Sequence, residues 1–448
     1  MQSARERFLV ALGCLLIFAV SADLLAANWP QWRGPNSNGS TTEAHDLATT
    51  WSHTENVLWR TKLPSWSAAT PIIWEDTVFV TSAEAGFTTL RGRDGGGRGR
   101  GGTVDLGPDK IFLMALNRKD GSIRWQREID SGNELFRKQN SASPSAITDG
   151  KHVWIMTGHG KFSCFTMDGK EVWKRDIQTD YGRFGLNHGY ASTPLMHGDQ
   201  LYVQVLHGMK TDDPSYVFAA EKATGKTIWK VERPTDAPRE SPDNYATPQL
   251  TTVDGKLQLV ISGGDYVTGH DLGSGKELWR LGGFNPTNNP ANRTIASSLV
   301  IGGNVFTTST RGRPFIGFRA GGSGDITGKN ELWTNDLGSD VPTPTTDGKY
   351  IYVLNDRGFL NCLEAETGKV VYEGQRIELG TYSSSPLLAD GKIYSTSEEG
   401  TTTVVKAGPQ FEILGVSKLD EHTLASPVAV DNQIFLRTDD YLYCFQKK

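Results

Sequence analysis

The chain has 448 residues and a formal net charge of −5, with a pI near 6.0. That balance leaves no basic footprint of the kind nucleic-acid binders carry, so that class is excluded on charge. The four cysteines form no Cys-x-x-Cys pair, which excludes a cysteine-held zinc centre and covalent haem attachment. The 50 glycines point to a fold of many tight turns.

Residues 1–27 differ in kind from the rest. Arg5 and Arg7 precede the apolar run Phe8–Val20, and small residues follow at Val20-Ser21-Ala22 and Ala26-Ala27. This predicts a secretory signal peptide cleaved after Ala22 or Ala27. The run is about 13 residues, short for a membrane span. Cys14 lies inside it rather than after it, which argues against a lipid-attachment site. The mature chain is expected in the periplasm or outside the cell, without a transmembrane segment. Residues 28–50, rich in Pro, Gly, Ser and Asn, predict an irregular lead segment packed down by Trp29 and Trp32, or a docking segment. Residues 51–448 are expected to form a single domain.

The pattern behind that expectation is clearest in Ser141–Ile177. Four short runs, Pro144–Thr148, His152–Thr157, Lys161–Thr166 and Glu171–Ile177, are separated by Asp149-Gly150, Gly158-His159-Gly160 and Asp168-Gly169. Such runs, rich in β-branched and aromatic residues and closed by Asp-Gly, predict an antiparallel four-stranded meander. The unit recurs. Its Ser/Thr-Pro landmarks are Pro71, Pro144, Pro194, Pro248, Pro344, Pro386 and Pro427, and Ser298 takes the Pro place in one more copy. A four-strand repeat at this spacing predicts an all-β fold, an eight-bladed β-propeller with four antiparallel strands per blade.

The outer strands carry Trp125, Trp173, Trp229, Trp279 and Trp333, with Tyr372 in blade six and Phe411 or Ile413 in blade seven. Blade eight lacks an outer strand at the C-terminus. Asn56–Leu63 matches Lys170–Ile177, so the N-terminal strand is expected to complete the last blade and close the ring. Cys164, Cys362 and Cys444 share one position in the third strand, where other blades have Ala115, Ala219, Gly269, Gly317 and Val404. That is a slot for a small buried side chain, and the thiols are expected to be free. Blade one also carries an Arg/Gly-rich insertion over 86–109, either a solvated loop or a basic lid over the ring.

The turns before strand one and between strands two and three vary among the copies, so function is expected on that face. Its channel-mouth binding candidates are Trp66, Asn140 (with Gln139), His188, Tyr190, Asp243, Asn244, Arg293, Asp340, Tyr382 and His422. Second-ring candidates are His207, Asp265, Arg311, Arg313 and Arg357. Aromatics, amides and opposed charges at one mouth suit a polar small molecule or sugar. Asp243 or Asp340 could serve as a general base, with His188, His422 or Arg293 stabilising charge. No Gly-x-Ser-x-Gly, His-Glu-x-x-His or phosphate loop enforces such chemistry, and no metal site is expected.

The segments Lys222-Ala223-Thr224-Gly225-Lys226-Thr227-Ile228-Trp229, Gly273–Trp279 and Ala365–Tyr372 resemble the tryptophan-docking repeat of the pyrroloquinoline quinone (PQQ) propeller superfamily, also called quinoprotein alcohol dehydrogenase-like. Trp29-Pro30-Gln31-Trp32-Arg33-Gly34-Pro35 resembles the opening of secreted PQQ-like propellers. The resemblance implies one of two branches. The dehydrogenases use PQQ, Ca²⁺ and an Asp base, and the alcohol-oxidising ones an adjacent Cys pair that this chain lacks. The other branch, similar in size, is the BamB-like propeller subunit of the outer-membrane β-barrel assembly machinery, a scaffold without cofactor. The expectation is a monomeric, non-catalytic scaffold binding a protein or carbohydrate at the mouth. The alternatives are a PQQ-dependent oxidoreductase acting on an alcohol or sugar, and a polysaccharide hydrolase or lyase.

Overall fold

A computed structural model describes residues 27–84, 104–105 and 110–448. The leader expected over 1–27 lies outside the described residues except for Ala27. The Arg/Gly-rich insertion 86–109 also lies outside them, except for the backbone of 104–105.

The chain forms eight antiparallel four-stranded blades. In blade one the strands run from the channel outward as Ile72–Trp74, Thr77–Ala83, Lys110–Asn117 and Ile123–Ser131. Middle strands are buried on both faces, because each blade packs against two neighbours. Ile72, Phe79 and Ile111 of blade one meet Val153, Ile155 and Phe165 of blade two in one such core. Outer strands alternate, as in Thr227–Glu232, where Trp229 is buried between exposed neighbours. Blade eight is completed as expected. Val57–Lys62 pairs with Tyr441–Gln446, with Trp59 opposite Cys444.

The small-residue slot also holds in every blade. Ala115, Cys164, Ala219, Gly269, Gly317, Cys362 and Cys444 each pair in register with the outer-strand aromatic. All three described cysteines are free and buried.

The indoles tie blade to blade. Trp125 Nε1 donates to Met167 O in the next blade at 2.9 Å, and Trp173, Trp229 and Trp333 donate likewise to Lys222, Leu272 and Ala365. Trp59 closes the circle by donating to Arg118 O of blade one at 2.8 Å. Each ring covers a turn glycine. Gly169 has φ +81°, and a Cβ there would lie 2.7 Å from Trp125 Cδ2. A side chain is therefore excluded on both backbone and contact grounds.

Two blades depart from the rule. Trp279 of blade four bonds Gln258 Oε1 of its own blade at 2.7 Å. The long Gly-rich turn of blade five lays Gly324–Asp325 alongside Trp279 and Arg280 as a fifth, parallel strand. Blade seven corrects the expectation of Phe411 or Ile413, because Gly415 stands in the aromatic position, opposite Val404. Ile413 is 44% exposed, and Phe411 packs on Tyr372 of blade six instead. The missing ring is supplied by Trp51, which stacks on Phe445 at 4.7 Å and Tyr394 at 6.3 Å. The incoming chain crosses so close that a Cβ on Gly415 would lie 2.3 Å from Thr49 O.

The landmark residues form a second circle around the channel. Thr70 N–H donates to Ser145 Oγ of the next blade at 3.0 Å. The same bond runs from Thr193 to Thr247, on through Ser297, Thr343, Ser385 and Ser426, and from Ser426 back to Thr70. This register corrects one landmark. In blade two, Ser145-Ala146 occupies the Thr-Pro place, two residues beyond Pro144. Proline is tolerated there because the innermost strand faces the channel and begins at the next residue.

The lead segment crosses the far end of the channel. Trp29 pairs with Ile73 of blade one, and Pro30 O accepts from Thr148 N of blade two. Arg33 donates to Pro344 O and Pro386 O of blades six and seven. Ser40–Thr41 then adds a parallel strand beside Leu388–Ala389. Blades two and six face each other across an eight-membered ring, so the segment spans the axis and makes the channel blind.

Candidate functional site

The open end of the channel is a cavity of about 380 Å³, lined by Phe136, Arg137, Lys138, His188, Tyr245, Arg293, Asp340, Asp356 and Tyr382 among others. A narrower chamber of about 150 Å³ continues below it, with Trp32 among its lining residues.

Of the mouth candidates, His188, Arg293, Asp340 and Tyr382 line the cavity. Glu240 organises two of them, lying 3.3 Å from His188 Nε2 and 3.8 Å from Arg293 Nε. Its carboxyl is held low, first by the His188 hydrogen bond. Tyr382 is fully buried and its hydroxyl donates to Glu378 O at 2.8 Å. Asp340 accepts from Arg311 N at 3.0 Å. Beside it, burial and then the Asp340 charge raise the Asp356 carboxyl to about 6. His422 lies at the rim, 3.2 Å from Asp439 and 3.8 Å from Glu398.

The other mouth candidates are spent on structure. Asp243 is fully buried. It accepts from the backbone N–H groups of Asn187, Gly208 and Met209 at 2.7, 2.9 and 3.1 Å. Burial still pushes its carboxyl up to about 6. With both oxygens so engaged and no exposure, it has no path to a substrate as a base. Asn140 bonds Trp66 O and Ala142 N, and Asn244 bonds Ser262 O and Ala246 N. Trp66 packs on Leu135. Tyr190 is buried against Phe184, and burial raises its phenol.

In the second ring, His207 is buried and accepts from Gly185 N at 3.0 Å. Asp265 is held by the amides of Asn285 and Asn292 at 2.8 and 3.0 Å. Arg311, Arg313 and Arg357 are exposed on the mouth face.

Sequence reasoning missed the piece that shapes the mouth. The link between blades one and two folds into a hairpin, Glu134–Phe136 with Gln139–Asn140, joined at its edge by Val104–Asp105. Its tip reaches across the opening. Lys138 Nζ meets Glu398 of blade seven at 2.8 Å, and Gln139 Nε2 donates to His188 O of blade three at 2.5 Å. Burial would raise the Glu398 carboxyl, yet the His422 and Lys138 bonds hold it at about 2.

His159 anchors the hairpin base, within 2.9 Å of Ser141 Oγ, 3.3 Å of Asp130 and 3.8 Å of Glu134. Burial opposes its charge, but the two carboxylates outweigh that and raise it to about 9. Ser141 is fully buried and accepts from Glu134 N, so this trio is an anchor rather than a nucleophile with its base. The sequence carries no signal for the hairpin, because Trp229 stands as far from Pro248 as Trp125 does from Pro144 and that link forms no strands.

The residues present do not fit PQQ with Ca²⁺. Among the described residues no three His, Cys, Asp or Glu side chains converge to hold a cation. Each carboxylate described above already has a partner, and the three thiols lie in separate blades.

The family model described as outer membrane protein assembly factor BamB matches residues 113–373 and 324–408. The chain belongs to this family. A BamB from Yersinia pestis is 23% identical over 332 residues, 73% of this chain and 74% of that protein. The crystal structure of BamB from Moraxella catarrhalis superposes with a TM-score of 0.52 at 14% identity, covering 77% of this chain and 98% of that one. The quinohemoprotein alcohol dehydrogenase of Comamonas testosteroni gives a TM-score of 0.62 at 11% identity, over 94% of this chain and 81% of its own. At these identities the two structures establish the shared PQQ-type propeller fold of this BamB-family chain, and the fold alone.

Proposed function

We propose that this BamB-family chain is a non-catalytic scaffold of outer-membrane protein assembly, working in the periplasm. It docks a protein partner on the loop-bearing mouth face of its ring. Family membership across 113–408 carries the reading. The state of the mouth supports it, because Glu240, Glu398, Asp243 and Asp265 are committed to partners within the chain rather than poised toward a reacting atom. On this reading residues 1–27 are a signal peptide and the propeller acts as a monomer. The exposed Arg311, Arg313 and Arg357, with His188, Arg293, Asp340 and His422 behind them, meet the partner.

The test is site-specific photocrosslinking in intact cells. Probes at Arg311, Arg313 and Arg357 should capture envelope assembly proteins, while probes at Lys174 and Glu373 on the outer strands should not. Capture from the outer strands alone would reverse the assignment of the face. Capture of no assembly protein from any position would remove the scaffold reading.

A further inference from the structure

The chamber beneath the mouth has a chemistry the scaffold reading does not use. Each hydroxyl of the inner circle except that of Thr193 accepts a backbone N–H from the preceding blade. A hydroxyl has one proton to donate as well. Among the described residues, no acceptor is found for the protons of Thr70, Ser145, Thr247, Thr343, Ser385 or Ser426, and the Thr193 hydroxyl has no partner at all. These seven side chains are at least nine-tenths buried and line the chamber. Six of them accept one bond from behind, which leaves their O–H groups, and the whole Thr193 hydroxyl, for the chamber interior. Buried polar groups rarely stay unpaired, so an acceptor-rich occupant is called for.

Charge points the same way. Among the described residues no carboxylate lines the chamber. At its closed end Arg33 is fully buried, and its guanidinium is satisfied only by the carbonyls of Pro386, Pro344 and Asn38 at 2.7, 2.8 and 3.1 Å. Its Nε has no partner. Burial lowers its pKa to about 9, so it stays cationic at neutral pH. Pro344 and Pro386 directly follow Thr343 and Ser385, which puts an unneutralised charge one residue behind the circle. Asp340 and Asp356 stand in the outer cavity, opposed there by Arg137, Lys138 and Arg293.

We propose that the chamber binds a small anionic head, a carboxylate or a tetrahedral oxoanion, through this circle of hydroxyl donors. A volume of about 150 Å³ is below the ~300 Å³ at which pockets begin to hold whole drug-sized ligands, so it takes a head group. Tyr245, Ile295, Val341 and Leu424 line both the chamber and the cavity above it. They form an apolar collar for the stem that carries the head. The site is independent of the protein partner, because it lies inside the ring.

The test is calorimetric titration of the purified mature protein with sodium acetate, sodium sulfate and sodium phosphate. At least one should bind saturably at one site per chain. Acetate alone would mark a carboxylate head, and sulfate or phosphate an oxoanion. Thr193→Val removes a donor without breaking an inter-blade bond, so it should leave the melting temperature in place and weaken binding about tenfold or more. Thr193→Ser should restore it. No saturable binding of any of the three, or equal affinity in Thr193→Val, would overturn the proposal and leave water as the occupant.

Discussion

Trp51 stands in for the indole that blade seven lacks, and that substitution can be tested by mutation. The side chain is 3% exposed and stacked between Phe445 and Tyr394. Trp51→Ala empties the space between blades seven and eight, and aromatic-to-alanine truncations in cores cost about 3–5 kcal/mol. None of that loss is a hydrogen bond, because Trp51 Nε1 is buried without an acceptor, and its backbone N–H keeps its bond to Ser417 Oγ. Trp51→Phe should therefore be mild. It gives up some contact area but removes a buried N–H whose burial itself costs about 1–3 kcal/mol. Trp59→Phe is the contrast. It loses the bond to Arg118 O, worth about 1 kcal/mol, together with area. The expected order of destabilisation is Trp51→Ala, then Trp59→Phe, then Trp51→Phe. Urea unfolding followed by far-ultraviolet circular dichroism and by fluorescence measures it, with agreement of the two probes as the check on two-state behaviour. If Trp51→Ala unfolds at the wild-type midpoint, or Trp51→Phe is as damaging as Trp59→Phe, Trp51 is not the wedge described.

Deleting Asn56–Leu63 removes the strand paired with Tyr441–Gln446 and the Trp59 link. The truncated protein should lose cooperative unfolding, and an unchanged melt would contradict closure by that strand. His159, raised to about 9 from an unfolded value near 6.5, contributes stability that is complete below about 6.5 and lost as pH climbs through about 9. Hydrogen exchange in 134–140 should accelerate beyond its intrinsic rate over that rise, and His159→Gln should exchange fast throughout. The buried Asp243 carboxyl is raised to about 6, so its contribution is fullest below about 3.9 and falls as pH passes 6. Asp243→Asn breaks part of the loop anchor, and its destabilisation should be largest in acid and narrow toward neutrality. A constant difference across that range would refute the assignment. Burial pushes Cys164 and Cys362 to about 12, so the native protein should be inert to a thiol reagent at pH 8 and all buried thiols should react in urea.

What was legible in the sequence was whatever recurs. The slot that takes Ala, Gly, Val or Cys is readable because all copies but one have an aromatic ring directly opposite, the exception being Val404 against Gly415. The closing strand was legible because Val57–Lys62 carries the same Trp and the same alternation as the outer strands it joins. The mouth was legible only as a position. Half of its candidates turned inward, because a polar side chain next to an innermost strand meets unpaired backbone groups before it meets solvent, as Asp243 and Asn244 do. The hairpin that shapes the mouth has no counterpart in the other blades. Nothing in one copy could predict it.

The two broken copies share a physical cause. A propeller blade needs something bulky at its outer edge to hold the next blade, and blades four and seven do not supply it in the usual way. Blade four tucks Trp279 over Gly269, where a Cβ would come within 2.0 Å of the ring, and the gap is closed by an extra strand from blade five. Blade seven has glycine in the aromatic position, and that glycine admits the chain carrying Trp51. The replacement in blade seven comes from the same stretch that runs on from Trp32 and Arg33 at the blind end of the channel. Closing the ring and closing the channel are thus one event in this chain. A change that frees the lead segment from Gly415 loosens the floor of the chamber as well as the seam between blades seven and eight.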